Sequence, residues 1–423
     1  MPFSQIENIH RPIVSFRGVT VPLPLLFAGI MLFAVSMNEY QIFYQVHTSA
    51  GRELVAVSHG VLGGHPPWKA FQARLLGPLA FAGFEGVVAW LRGASPAFYA
   101  AFERVFSQPD TRDLVALDAF IALMIVVKNF VCFALLRRYA GSLVKATTGT
   151  MLGSILFVML SNHWLYMWDM FELIFFCVLA FMIFTEQKLK AYFIFLFILS
   201  LANRESAAFI GVWLLCHAAT HRFMGGQILW REAAGGIVSI AVTFVYVATL
   251  RHYLLVESTL GHETAGAWLN LHVVTGDGMP AHFALGNHLL ILENGVTFLK
   301  NLVSTHFYVD VYVLALVLHG GLLVRVGLLR RQAHFVAIGI FNIVLLVGIL
   351  NFALLNETRL FLICIPFVVF SVVGFSEEIF SFLANVDLRY SPRGGRQYLM
   401  TQKRESREAT ATALGVIGET GCG

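Results

Sequence analysis

Ser161-Asn-His-Trp-Leu-Tyr-Met-Trp-Asp169 opens an apolar run, Met170 to Thr185. The polar turn Glu186-Gln-Lys-Leu-Lys190 follows, then apolar Ala191 to Ala202, then Asn203-Arg-Glu-Ser206. This pattern predicts a hydrophobic hairpin. Its lysine-bearing turn points one way, and its acids and arginine point the other. An ionisable side chain at the lip of a membrane helix costs free energy to keep. Asp169, Glu172, Arg204 and Glu205 are therefore the first candidates for function.

The rest of the composition agrees with a membrane setting. At 57% hydrophobic and 13% charged residues, with a mean hydropathy of +0.73, the chain is too apolar for an ordinary soluble domain. It repeatedly supplies runs near the ~20 residues that span a bilayer. A formal net charge of +4 is too small to point to nucleic acid, so none is expected as a partner, and membrane lipids are. The cysteines show no paired spacing and read as packing residues. Val21 to Met37 lacks a small-residue cleavage site and reads as a retained first span.

The expected fold is all-α, a polytopic transmembrane bundle of about ten spans. Residues 1–375 form the membrane domain and 376–423 a disordered cytoplasmic tail. The long region from Asn38 to Arg112 contains Gly63-Gly-His-Pro-Pro-Trp68, Arg74-Leu-Leu-Gly-Pro78 and a moderately apolar stretch, Leu75 to Leu91. If that stretch crosses the membrane, Arg137, Arg138, Lys188 and Lys190 land outside, against the usual bias of basic residues. If it is re-entrant or lies on the surface, the bias is restored throughout, and both termini are cytoplasmic. Glu39, His65, Arg74, Asp169, Glu172, Arg204, Glu205, Glu357 and Arg359 then gather on the outer face. Asn203-Arg-Glu-Ser206 and Asn356-Glu-Thr-Arg359 also fit a plainer reading, as helix caps with local ion pairs.

A long first outer loop with a half-buried helical stretch, an acid in the second outer loop and arginines at later helix ends resemble the GT-C glycosyltransferases. The Arg-Leu-Leu-Gly-Pro, Trp-Asp and Asn-Arg-Glu-Ser runs are also similar to those of bacterial membrane proteins of this type. The resemblance covers about residues 15 to 375. It implies an enzyme of the bacterial inner membrane that moves a sugar from a polyprenyl-phosphate carrier to a glycan or lipid-linked acceptor at the outer face. It further implies Asp169, or else Glu39, as the base that deprotonates the acceptor. Arg74, Arg204 and Arg359 would clamp the lipid phosphate, with Glu205, Glu357, His65 and Trp168 contributing to substrate binding.

The chemistry suits those residue types. Negative charge builds on a departing phosphate, and a bidentate guanidinium stabilises it better than an ammonium does. A carboxylate at a partly dehydrated lip gains basicity. Asp169 and Glu172 are three apart, so on a helix they share a face and could hold a divalent cation such as magnesium or manganese. The chain departs from the family pattern in having Glu39 where many members place an aspartate soon after the first span.

Two other functions compete. An O-antigen-type polymerase or ligase would depend on the later loop, 251–308. A lipid or solute transporter would need repeat symmetry and charges at the midplane, where the sequence offers Lys128. The histidines of the late loop lack zinc-pair spacing. Trp164, Tyr166 and Trp168 suit either a sugar platform or an interfacial aromatic belt.

Overall fold

The computed structural model describes residues 13–16, 19–47, 51–63, 74–106, 109–161, 165–185, 191–254, 272–274, 280–282, 289–304, 306–352, 355 and 358–375. The chain forms two compact units, Met1–Phe370 and Ser371–Gly423. Of the second, residues 371–375 are described.

Among its described residues the first unit is helical apart from two short antiparallel hairpins. One pairs β1 (Ile13–Phe16) with β2 (Val19–Pro22), and the other pairs β3 (His272–Val274) with β4 (Pro280–His282). The first is rich in β-branched residues on either side of Arg17-Gly18, Ile13 and Val14 before it and Val19, Thr20 and Val21 after it, a strand signal too short to compete with the apolar runs.

The helices run α1 (Leu23–His47), α2 (Gly51–Leu62), α3 (Leu76–Ala94), α4 (Pro96–Phe106), α5 (Val115–Ala140), α6 (Leu143–Leu160), α7 (Met167–Phe184) and α8 (Ala191–Asn203). They continue with α9 (Ala208–Phe223), α10 (Trp230–Leu254), α11 (Leu289–Asn301), α12 (Phe307–Arg330), α13 (Ala333–Phe352) and α14 (Ile365–Gly374). Among the described residues, seven are long and apolar enough to cross a membrane: α1, α5, α6, α7, α10, α12 and α13. This is a membrane protein of helical class. The expected hairpin is present as α7 and α8.

Several helices run longer than the apolar stretches alone predict, and at two boundaries the difference has a clear cause. The first helix was expected to end near Met37, where Asn38-Glu-Tyr40 turns polar. It continues to His47, because Glu39 finds a partner inside the bundle. The last apolar run does not begin as an α-helix. Thr358–Cys364 forms a 3-10 turn, and α14 starts at Ile365 with Pro366 in its first turn, where proline's missing N–H is harmless.

α7 is the most enclosed of the candidate spans, with 78% of its window buried against 11% for α10. It lies parallel to α5. Cys132 meets Cys177 and Tyr139 meets Phe184 at one common offset, which puts Phe120 level with Leu165. Consistently, Phe120, Met124, Leu165, Tyr166 and Met170 line one small apolar pocket. Elsewhere, glycines allow close helix approach: a Cβ on Gly211 would lie 2.7 Å from the Gly236 carbonyl, and one on Gly339 2.6 Å from that of Gly320. Small residues facing one another are how membrane helices gain contact when lipid is as apolar as the side chains.

This register shows how α3 is laid down. Gly77 packs against the backbone of Trp168, at the start of α7, while Phe81 and Phe84 both pack on Phe120, near the start of α5. Over these two turns α3 touches both α7 and α5 near their starts. α4 has 11 residues, which rise only ~16 Å, and its Phe106 meets Tyr40 of α1. Leu79, Val87, Trp90, Phe98 and Val105 leave this pair with an exposed apolar surface.

Candidate functional site

The start of α7, the end of α8 and the residue before α3 converge. Asp169 sits in the first turn of α7, where its Oδ2 accepts the Tyr166 N–H at 2.9 Å in a capping arrangement that starts the helix. Glu172 is one turn on and shares its face, as the spacing of three predicts. α8 ends at Asn203, whose Nδ2 donates to the Trp168 carbonyl at 3.0 Å. Arg204 then takes an extended conformation that separates α8 from a 3-10 turn, Glu205–Ala207, ahead of α9. Arg74 is brought in by its neighbour: the Leu75 N–H donates to the Ala202 carbonyl at 3.0 Å. A Cβ on Gly77 would lie 2.8 Å from the Trp168 nitrogen, so a bare glycine lets α3 dock this closely.

These docking contacts assemble five ionisable groups. Arg204 Nη1 donates to Glu172 Oε2 at 2.6 Å and lies 3.6 Å from Asp169 Oδ1. Arg74 Nη2 donates to Glu205 Oε1 at 3.0 Å. Burial alone would weaken the charge on Arg204, but Glu172, Glu205 and Asp169 outweigh it and hold the guanidinium above its ordinary pKa. Burial pushes Arg74 below its ordinary value, and Glu205 works against that shift.

Access differs among the carboxylates. The side chains of Asp169 and Glu172 are 3% and 5% exposed, whereas that of Glu205 is 35% exposed. Arg74, Asp169, Glu172, Arg204 and Glu205, all singled out in the sequence, are thus brought together.

Other expectations need correction. Glu39 is not part of this site. On the extended α1 it lies against α5, where Lys128 Nζ donates to its Oε2 at 2.8 Å and the Asn129 amide donates at 3.3 Å. Asn129 also bonds Ser36 and Ser154, and the Lys128 ammonium lies 3.7 Å from the centre of the Phe157 ring. Glu39 is 2% exposed and Lys128 3%. Glu39 is thus engaged by Lys128 and Asn129 rather than by Arg74 or Arg204.

Trp168 is 1% exposed, so it is no platform for a sugar. Its ring stacks on Tyr166 at 4.7 Å, and the Arg74 guanidinium lies 5.1 Å from its centre. It orients the arginine instead. Asp169 and Glu172 share a face, but what lies between them is the Arg204 guanidinium. Among the described residues no three His, Cys, Asp or Glu side chains group as metal ligands. Cys132, Cys177, Cys216 and Cys364 are free thiols, in keeping with a packing role. His65 and Glu357 lie outside the described residues. Arg359 is in the 3-10 turn after α13, with its side chain outside them.

The sequence reading passed over two features. In the sequence Asn203 is only one member of a polar run, yet it ties α8 to α7, and its Oδ1 is buried without a hydrogen-bond partner. Gly77 carried no signal beyond the Gly-Pro pair. Comparison with family models, curated proteins and solved structures gives no match for this chain.

Proposed function

We propose that the chain is an integral membrane glycosyltransferase that moves a sugar from a polyprenyl-phosphate carrier to a glycan or lipid-linked acceptor on the outer face of the bacterial inner membrane. The observation that carries this reading is the convergence of Arg74 and Arg204 with Asp169, Glu172 and Glu205. They come from three separate stretches and meet where helices end. Two guanidiniums suit the charge that grows on a departing lipid phosphate, and a neighbouring carboxylate suits the proton of an acceptor hydroxyl. α8 has 13 residues and rises ~20 Å, short of the ~30 Å hydrocarbon core. The site is then recessed below the headgroups, where a lipid-borne linkage can reach it from the side.

About ten spans, both termini cytoplasmic and α3 lying across the outer surface complete the proposal. Single cysteines near Asn162 should react with an impermeant reagent added outside, and one at Gln187 should not; the opposite pattern overturns the topology.

The direct test of activity is purified chain in nanodiscs with a panel of labelled polyprenyl-phosphate sugars. Sugar transfer with release of the free carrier is expected, and Arg204→Lys should cut it severely by losing the planar fork. Failure across the panel removes the reading.

The buried Glu39–Lys128 pair favours a second reading, a transporter, because paired charges in a membrane interior often mark a translocation path. That reading predicts carrier or solute movement across a sealed vesicle with no covalent change.

A further inference from the structure

We infer that Glu205 is a displaceable latch on Arg74: a lipid phosphate takes the guanidinium from it, and the freed Glu205 carboxylate accepts the proton of the acceptor hydroxyl. This rests on the glycosyltransferase reading above.

The ground is a difference among three carboxylates that sit side by side. Asp169 caps α7 through the Tyr166 N–H and faces Arg204, and Glu172 bonds Arg204 at 2.6 Å. Both side chains are inside helix α7 and almost wholly enclosed, so neither can leave without undoing a helix start or stranding a buried guanidinium. Glu205 is on a three-residue 3-10 turn, with 35% of its side chain exposed, and holds Arg74 at 3.0 Å. The Arg74 side chain, 6% exposed, needs an anion beside it. Its own place does not depend on Glu205, because Leu75 is tied to Ala202 and the guanidinium rests near the Trp168 ring. Exchange of one anion for another therefore moves the most exposed of the three carboxylates and leaves α7 intact, and a phosphate offers the planar fork more oxygens than a carboxylate does.

The chemistry balances. The acceptor oxygen forms a bond to the anomeric carbon as the bond from that carbon to the phosphate oxygen breaks. The bonding pair leaves with the polyprenyl phosphate, beside Arg74, and the acceptor proton passes to Glu205. The latch also gates the base, since Glu205 is released only when a donor is in place.

The probe is farnesyl phosphate, which carries no sugar, binding to the full-length purified chain. Glu205→Gln should bind it ~10-fold tighter than wild type, because a competing internal anion is gone. The same variant should lose transfer by ~100-fold or more, as removal of a general base does. Arg74→Gln should lose both binding and transfer, and Glu205→Asp should recover part of the transfer. Equal farnesyl phosphate affinity in wild type and Glu205→Gln overturns the latch, and near wild-type transfer by Glu205→Gln overturns the base. If Glu205→Gln binds more tightly but wild type transfers no sugar, the latch stands and the glycosyltransferase reading fails. Should Glu205→Gln be recovered poorly, Glu205→Asp carries the test by the same binding comparison, and an affinity unchanged from wild type overturns the latch.

Discussion

At the start of α7, two arginines face three carboxylates, and the outermost acid is partly open to solvent. Between α1 and α5, one lysine faces one glutamate, both 3% exposed by side chain, and Asn129 connects Ser36 and Ser154 around them. The clusters use similar chemistry for opposite ends. The inner pair is balanced and closed, so its charges neutralise one another and specify how α1, α5 and α6 fit together. The lip cluster holds an extra acid and sits where three elements end. On the proposed glycosyltransferase reading, the cluster with a surplus charge and a way out is the binding site, and the matched pair holds helices together.

The largest effect should come from breaking the closed pair. Lys128→Met leaves Glu39 charged and stranded, at a cost of ~3–5 kcal/mol, visible as a large drop in unfolding temperature in detergent. Adding Glu39→Met should restore most of it, since a well-packed apolar replacement of a buried pair is often neutral, and transfer should return with the fold. If the double variant is stable but inactive, the inner pair takes part in function and the contrast collapses.

Gly77→Ala should come next, at ~1–3 kcal/mol, because its new Cβ meets backbone at Trp168 and cannot push a side chain aside. Moving α3 also moves Arg74, so this variant should weaken farnesyl phosphate binding as well as stability. A stable protein with unchanged affinity would show that α3 docking does not position the arginine.

Asp169→Asn should be mildest. Asparagine still accepts the Tyr166 N–H, so the cap survives in part, and loss of one of the Arg204 partners costs ~1 kcal/mol. With Glu205 as the base, transfer by the folded fraction should stay within ~10-fold of wild type, far from the loss expected on removing a general base. Abolished transfer with intact folding would return the base to Asp169 and sharpen the lip cluster into a different mechanism.

Much of this was legible in the sequence for one reason: α7 and α8 are neighbours in the chain. Antiparallel arms joined by a short polar turn must bring Asp169, Glu172, Arg204 and Glu205 to one end, so periodicity and the turn sufficed. Arg74 joins from far away, and its arrival depends on the Leu75–Ala202 bond and on the bare backbone at Gly77. No local pattern encodes either. Glu39 was misplaced because hydropathy ends a helix where polarity begins, whereas α1 continues as long as Glu39 has Lys128 to meet. Trp168 was ambiguous since aromatic residues near polar ones suit a belt, a sugar platform or a buried stack, and only burial separates these. The packing of α3 on α5 rests on two phenylalanines meeting Phe120, a tertiary fact with no trace in its composition.

The contrast between the clusters is tested most directly by a photoreactive polyprenyl phosphate, crosslinked to the purified chain in nanodiscs and mapped by mass spectrometry. The account predicts label on peptides carrying Arg74 and Glu205, displaced by unlabelled carrier and lost in Arg74→Gln. Label concentrated on α1 and α5 around Glu39 and Lys128, and unaffected by Arg74→Gln, would contradict it.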